Sequence, residues 1–346
     1  VVSRKRRRTS QKRQLSENAL INKLFASIVI LAILAAGAFV FWAQQPITES
    51  GQPTIPFTIE AGSSVRGTMQ QITNAGVPVN PSLLAWLARL TGKASKLKAG
   101  SYDLKGGTTP LYLVEQLVRG EFAQESLIII EGWTFAQMRA AIAAHPALKH
   151  ETMQWSDKEL LEKIASDYKA AEGLFFPDTY LFAKGASDLQ IYKQANAQML
   201  KHLNEDWAKR DPTLPFKTPY DALIMASIVE KETGKKSERS KIAGVFVNRL
   251  NRGMMLQTDP SVIYGMGDKY QGQIHKKDLQ TDTPYNTYTR VGLPPTPIAL
   301  PGEASLSAAM NPAKTDALYF VSRNDGTSQF SDNLDDHNQA VNRYQR

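Results

Sequence analysis

The run Ile228-Val229-Glu230-Lys231-Glu232-Thr233-Gly234 closes an apolar segment with two carboxylates and a glycine stop. Upstream, Pro219-Tyr220-Asp221 opens a helix, and Ala222, Met225, Ala226 and Val229 recur at the three-and-four spacing that lines one helical face. At about 100° per residue, Glu232 falls roughly 60° from Val229, inside the apolar stripe, and Glu230 roughly 100° away at its margin. Residues two apart on a helix do not face each other, so the pair does not form one two-carboxylate site. A single working acid is the better reading. A carboxyl drawn onto an apolar face loses solvation when charged, so its pKa rises from about 4.3 towards roughly 6 and it holds a proton near neutral pH. The competing reading pairs Glu232 with Lys231, Lys235 or Lys236 at a frayed helix end, and the local pattern leaves both open.

Composition narrows the chemistry. The 346 residues contain no cysteine, which removes disulfides, thiolate metal sites and a cysteine nucleophile. The five histidines are scattered, with no His-Glu-x-x-His, so no metal site is expected. No cofactor is expected either. Gly-x-Ser-x-Gly and the Walker phosphate-loop pattern are both absent, and Gly265-x-Gly267 lacks the third glycine of a dinucleotide loop.

The formal charge of +8 is local. Residues 1–23 hold eight basic residues against Glu17 alone, a net of +7, so the remaining 323 residues share +1. Residues 24–43 follow with no charge and Ser27 as the one polar side chain. Twenty helical residues span about 30 Å, the thickness of a bilayer's hydrocarbon core. A transmembrane helix is therefore expected at 24–43, with Trp42 as an interfacial anchor and residues 1–23 as a basic tail on the cytoplasmic side. A cleaved signal peptide has a shorter apolar core of about 7–15 residues, and a nucleic-acid-binding tail would not adjoin a membrane span. No nucleic-acid partner is expected.

Beyond the span, residues 44–56 are rich in Gln, Pro, Thr, Ser and Gly and read as a linker. Residues 57–124 read as a small α+β module, with strands near 57–59 and 98–104 and helices near 65–74, 82–91 and 111–119. Next come a strand at 127–130, a helix from Thr134, and a mostly helical region at 157–208. Glu172-Gly173-Leu174-Phe175-Phe176-Pro177-Asp178-Thr179-Tyr180 interrupts that region, either as core or as the lining of a carbohydrate groove. After a helix at 237–251, residues 254–302 read as a long irregular stretch, which at this length indicates function.

Several motifs in order carry a resemblance: Ala226-Ser227-Ile228-Val229-Glu230-Lys231-Glu232-Thr233, Val245-Phe246-Val247-Asn248-Arg249-Leu250, Leu256-Gln257-Thr258-Asp259-Pro260, Tyr285-Asn286-Thr287-Tyr288, Gly292-Leu293-Pro294-Pro295 and Leu318-Tyr319-Phe320-Val321. The chain from Phe57 onward resembles the endolytic murein transglycosylases (MltG, YceG-like). The resemblance implies a single-pass inner-membrane protein of α+β class, with a LysM-like module at 57–124 and a mixed α/β catalytic domain at 125–346 facing the periplasm. It also implies cleavage of the MurNAc-GlcNAc β-1,4 bond of nascent glycan strands to 1,6-anhydro-MurNAc ends, and peptidoglycan synthases as partners. In that family the catalytic glutamate precedes Thr or Ser, which selects Glu232 before Thr233. Thr233, Gln257, Thr258, Asp259, Tyr285, Asn286 and Tyr288 are the expected substrate contacts, with Asp259 alternatively capping a turn. A hydrolytic muramidase and a noncatalytic peptidoglycan-binding scaffold are the alternatives.

Overall fold

The computed structural model describes residues 2–345, with side chains described from residue 22. The chain divides into two compact units between Gln124 and Glu125. The first begins with one continuous helix, α1 (Val2–Gln44). Its segment Asn22–Gln44 is long and apolar enough to cross a membrane, and Leu24, Phe25, Leu31 and Phe41 are exposed along it. The side chains of the basic tail up to residue 21 lie outside the described residues.

Beyond α1 the unit runs β1 (Ile55–Ile59), α2 (Val65–Asn74), α3 (Pro81–Leu90), β2 (Gly100–Leu104) and α4 (Pro110–Arg119). Ser64, Asn80 and Thr109 each accept backbone N–H bonds at the start of α2, α3 and α4, satisfying donors that a helix start leaves free. The strands pair antiparallel with Phe57 opposite Tyr102, and those rings stack at 5.4 Å above a core of Met69, Ile72, Leu84, Leu113 and Leu117. One expectation changes here. The segment read as a linker is docked, since Ile47 N–H donates to Thr108 O (2.8 Å) and Gly107 N–H donates to Thr48 O (2.9 Å). Backbone pairing with the 106–108 turn thus overrides its flexible composition. Trp42 packs on this unit's core beside the buried Ala43.

The second unit is a helical body with strand pairs. Its order is β3 (Gln124–Ile128), α5 (Phe135–Ala144), α6 (Asp157–Lys163), β4 (Thr179–Ala183), α7 (Asp188–Ala208), α8 (Pro219–Glu232), α9 (Lys236–Asn251), α10 (Asp259–Met266), α11 (Lys276–Gln280), α12 (Glu303–Met310), β5 (Tyr319–Ser322), β6 (Ser328–Ser331) and α13 (Leu334–Tyr344). β3 pairs with β4, and β5 pairs antiparallel with β6, placing Tyr319 opposite Ser331. Among the described residues every sheet is two-stranded. The class is α+β, with helices rather than a central sheet forming the body of the second unit.

At the centre of that body lies α8, packed by α7, α9, α10 and α12. Thr218 and Asp221 form a reciprocal capping box at its start, with Pro219 in the first turn. All residues from Ala222 to Val229 are buried, so this helix is enclosed on every side instead of showing the single apolar stripe expected. In the Glu172–Tyr180 interruption, Glu172 to Pro177 and Tyr180 belong to the core and Asp178 and Thr179 are exposed: Leu174 and Phe175 are fully buried, and Tyr180 donates to Phe176 O at 2.6 Å. The stretch read as irregular at 254–302 contains α10 and α11.

Candidate active site

α8 delivers its two terminal carboxylates to different surroundings. Glu230 is buried, not marginal: its Oε1 accepts from Arg239 Nη2 at 2.7 Å, and its Oε2 accepts from Gly302 N–H (3.0 Å) and Ser305 Oγ (2.7 Å). Glu232 instead lines a cleft of about 1060 Å³ bounded by the 256–259 segment, Tyr288, the β5–β6 hairpin and α13. Its Oε1 accepts a short hydrogen bond from Thr258 Oγ1. Among the described residues no lysine, arginine or histidine forms an ion pair with it, and Lys231 reaches Gly132 O (3.3 Å) instead. The lysine-paired alternative is therefore not what the fold adopts.

Electrostatics follow from this enclosure. Burial pushes the Glu232 carboxyl up to about 7, the Thr258 hydrogen bond opposes that rise, and the nearby Asp259 charge adds to it. A carboxyl so tuned holds a proton at neutral pH and releases it without a large penalty, which suits general acid and base work.

The segment before α10 holds Glu232's partner in place. Thr258 stands at the N-cap position of α10, yet its hydroxyl does not cap the helix and is committed to Glu232. Its N–H donates to Thr287 Oγ1 (3.0 Å), and its carbonyl accepts from Ser261 Oγ (2.9 Å), so the residue is fixed from both sides. Gln257 adopts φ +53°, a left-handed conformation that is uncommon for a residue with a side chain and costs roughly 1–2 kcal/mol. It is held there by its N–H bond to Thr287 O (3.1 Å) and by Arg249 Nη1 donating to its side-chain oxygen (3.2 Å).

Of the residues expected from sequence, Glu232, Thr233, Gln257, Asp259 and Tyr288 line one cleft, and Thr258 lies behind it, buried, on the Glu232 carboxyl. Asp259 opens α10 and accepts from Tyr288 OH at 2.6 Å, and burial raises the Tyr288 phenol pKa. Tyr285 and Asn286 are not brought to the cleft. Tyr285 OH pairs with Thr296 Oγ1 (2.9 Å), and its ring meets Tyr264 edge-on at 4.9 Å. Asn286 is buried, and its amide donates to the carbonyls of Asp278, Leu279 and Thr281 while its oxygen accepts from Tyr288 N–H. Its task is to shape the loop that carries Tyr288. Glu172 is likewise internal: its carboxylate accepts from Phe135 N–H (2.9 Å) and Tyr264 OH (3.0 Å), and burial raises it to about 7.

Sequence reading missed Arg249, Tyr319 and His337 as cleft residues. Arg249 is buried, donates to the carbonyls of Leu318, Met255 and Leu256, and lies over the Tyr319 ring at 5.0 Å. Tyr319 stacks in turn on His337 at 5.0 Å. The signal was the Asn248-Arg249 and Leu318-Tyr319 motifs, which drew notice as a pattern without a role.

Three comparisons bear on this arrangement. A family model described as the YceG-like family matches residues 57–343. The chain is 31% identical to the endolytic murein transglycosylase of Bacillus subtilis (strain 168), over 90% of this chain and 91% of that protein. It is 28% identical to the endolytic murein transglycosylase of Streptococcus pneumoniae serotype 2 (strain D39), over 91% of this chain and 63% of that longer protein. A 2.6 Å crystal structure of a YceG-like protein from Listeria monocytogenes superposes with a TM-score of 0.53 at 30% identity, covering 83% of this chain and 98% of that one.

Proposed function

The chain belongs to the YceG-like family, and from that membership and the setting of Glu232 we propose that it is an endolytic murein transglycosylase, a lyase acting on peptidoglycan glycan strands. The observation that carries the chemistry is the enclosed Glu232 carboxyl at the cleft wall, bonded to Thr258 and free of a cationic partner among the described residues.

Glu232 begins protonated. It donates its proton to the glycosidic oxygen as the bond from C1 of MurNAc to O4 of GlcNAc breaks, leaving an oxocarbenium-like C1 shielded by the sugar's own acetamido group. The carboxylate then takes the proton from the muramic C6 hydroxyl while O6 closes on C1. A 1,6-anhydro ring forms, GlcNAc leaves with a free O4 hydroxyl, Glu232 is protonated again, and no water is consumed. Thr258 holds Oε1, so the other carboxylate oxygen is the one that exchanges the proton. Thr233, Gln257, Asp259 and Tyr288 supply contacts to the sugars. One observation favours a second reading: Asp259 also lines the cleft, and a second carboxylate suits a hydrolase that activates water. Its bond from Tyr288 makes it the weaker candidate for a base.

Membership supports a reading of the remaining organisation. The strand–helix–helix–strand order of β1, α2, α3 and β2 is read as a LysM-like glycan-binding module at 57–124, with the catalytic domain at 125–346. The apolar span is read as an inner-membrane anchor with the tail cytoplasmic and the catalytic domain periplasmic. Peptidoglycan synthases are the partners this placement suits.

The test incubates the full chain in detergent with uncrosslinked glycan strands and identifies new ends by mass spectrometry, beside Glu232→Gln and Asp259→Asn. The proposal expects anhydro-MurNAc ends from the wild type and Asp259→Asn and none from Glu232→Gln. Reducing ends that vanish in Asp259→Asn would instead establish the hydrolase.

A further inference from the structure

We propose that Glu230 and Arg239 are positioning residues, a buried ion pair that fixes the last turn of α8 and thereby sets where the Glu232 carboxyl stands in the cleft. The inference rests on Glu232 being the working acid.

The end of α8 lacks the usual means of holding itself. Its last helical residue is Glu232, and Thr233 follows in an extended conformation (φ −148°, ψ 132°) with no left-handed glycine cap to tie down the final carbonyls. Such an end frays unless something outside the helix grips it. Glu230 is gripped three times. Arg239 of α9 holds one oxygen, and Gly302 N–H and Ser305 Oγ, at the start of α12, hold the other. Both charged side chains are almost wholly enclosed, at 5% exposure for Glu230 and 4% for Arg239. Residues two apart on a helix point about 160° away from each other, so a grip on Glu230 directs Glu232 to the opposite side, into the cleft.

The loop after β3 completes the clamp. Glu131 stands 3.8 Å from Arg239, and the Gly132 carbonyl accepts from Lys231 Nζ. A Cβ at Gly302 would meet the Glu131 carboxylate, so glycine there leaves Glu131 room to lie beside Arg239.

Stability alone does not account for the arrangement. Apolar side chains of similar volume commonly match or exceed the stability of such a pair, whereas a bonded ion pair adds direction.

The test uses the full chain in detergent and measures kcat, KM and the pH profile of strand cleavage for the wild type, Glu230→Gln, Arg239→Lys and Ser305→Ala. Asp188→Asn is the control, since that carboxylate is buried on Thr152 far along the chain and lowers stability without touching α8. For Glu230→Gln the expected result is a fall in kcat on the order of 100-fold with KM within about twofold, as a displacement of about 1 Å produces. The pH limb belonging to Glu232 moves down by about a unit or more as the carboxyl leaves its enclosure. Arg239→Lys, which keeps a positive charge beside Glu230 without the guanidinium geometry, falls less than Glu230→Gln. Ser305→Ala shifts both quantities less in the same direction, and it decides the matter if Glu230→Gln does not fold. An unmoved pH limb with kcat within about threefold of wild type would overturn the proposal, as would the same kinetic change in Asp188→Asn. If the wild type gives no anhydro ends, the functional reading fails separately. The titration of the Glu232 carboxyl by 13C NMR, assigned by its loss in Glu232→Gln, then decides the positioning claim without turnover: a lowered pKa in Glu230→Gln supports it, and an unchanged one overturns it.

Discussion

Glu230 and Glu232 are separated by one lysine and are treated in opposite ways, one tied to a guanidinium and the other left with a hydroxyl. The helix-face angle selects Glu232 from sequence, although α8 is buried all round and the stripe behind that angle does not exist. The partners of Glu230 are not legible locally, because Gly302 and Ser305 lie 72 and 75 positions away. Thr258 is legible as a polar residue in a motif, but its bond to Glu232 across 26 positions is a property of the fold. A pH dependence follows from these settings. Burial raises Glu232 and Glu172 from an ordinary 4.5 to about 7, so the folded chain binds more protons than the unfolded one between those values. Their contribution to stability is full below about pH 4.5 and is lost as pH rises towards 7. Urea midpoints at pH 5 and pH 8 should therefore fall more steeply for the wild type than for Glu232→Gln, with a difference on the order of 2–3 kcal/mol at about 1.4 kcal/mol per pKa unit. Parallel slopes in the two proteins would remove the raised carboxyl.

Elements such as α2 and α4 could be read from sequence because period and caps agree, with Ser64 and Thr109 at their starts. α10 and α11 could not, being 8 and 5 residues long within a stretch rich in Gly, Pro and Thr. β4 was hidden too: Tyr180 and Phe182 alternate inward as a strand should, but the aromatic run before them masks the period. The element that carries one wall of the cleft depends on a glycine. Gly244 lies within α9, where a Cβ would stand 2.6 Å from Ala313 O and 2.9 Å from Thr315 Cγ2. That close approach lets Asn248 donate to Thr315 O and Ala317 O and so place β5 beside α9. Gly244→Ala should improve helix propensity yet destabilise by about 1–3 kcal/mol through overpacking. Differential scanning calorimetry should show a Tm lower by several degrees, and a raised Tm would mean that the 313–315 segment yields without cost.

For the molecule as a whole, charge placement in the first 23 residues and the uncharged run after them made a helix long and apolar enough to cross a membrane legible without any tertiary information. Segment 44–56 was not legible as a docked element, since its backbone bonds to the 106–108 turn come from a partner about sixty residues on. The proposed orientation predicts that protease added outside spheroplasts digests the 125–346 unit while an epitope on the basic tail stays intact. Tail digestion with the larger unit protected would reverse the topology.

Cleavage without water is the claim on which the mechanism stands, and cleavage of glycan strands in 18O-enriched water tests it most directly. The account predicts new MurNAc ends that carry no label and lack the mass of one water relative to reducing ends. New ends bearing 18O at C1 would contradict it and make the enzyme a hydrolase.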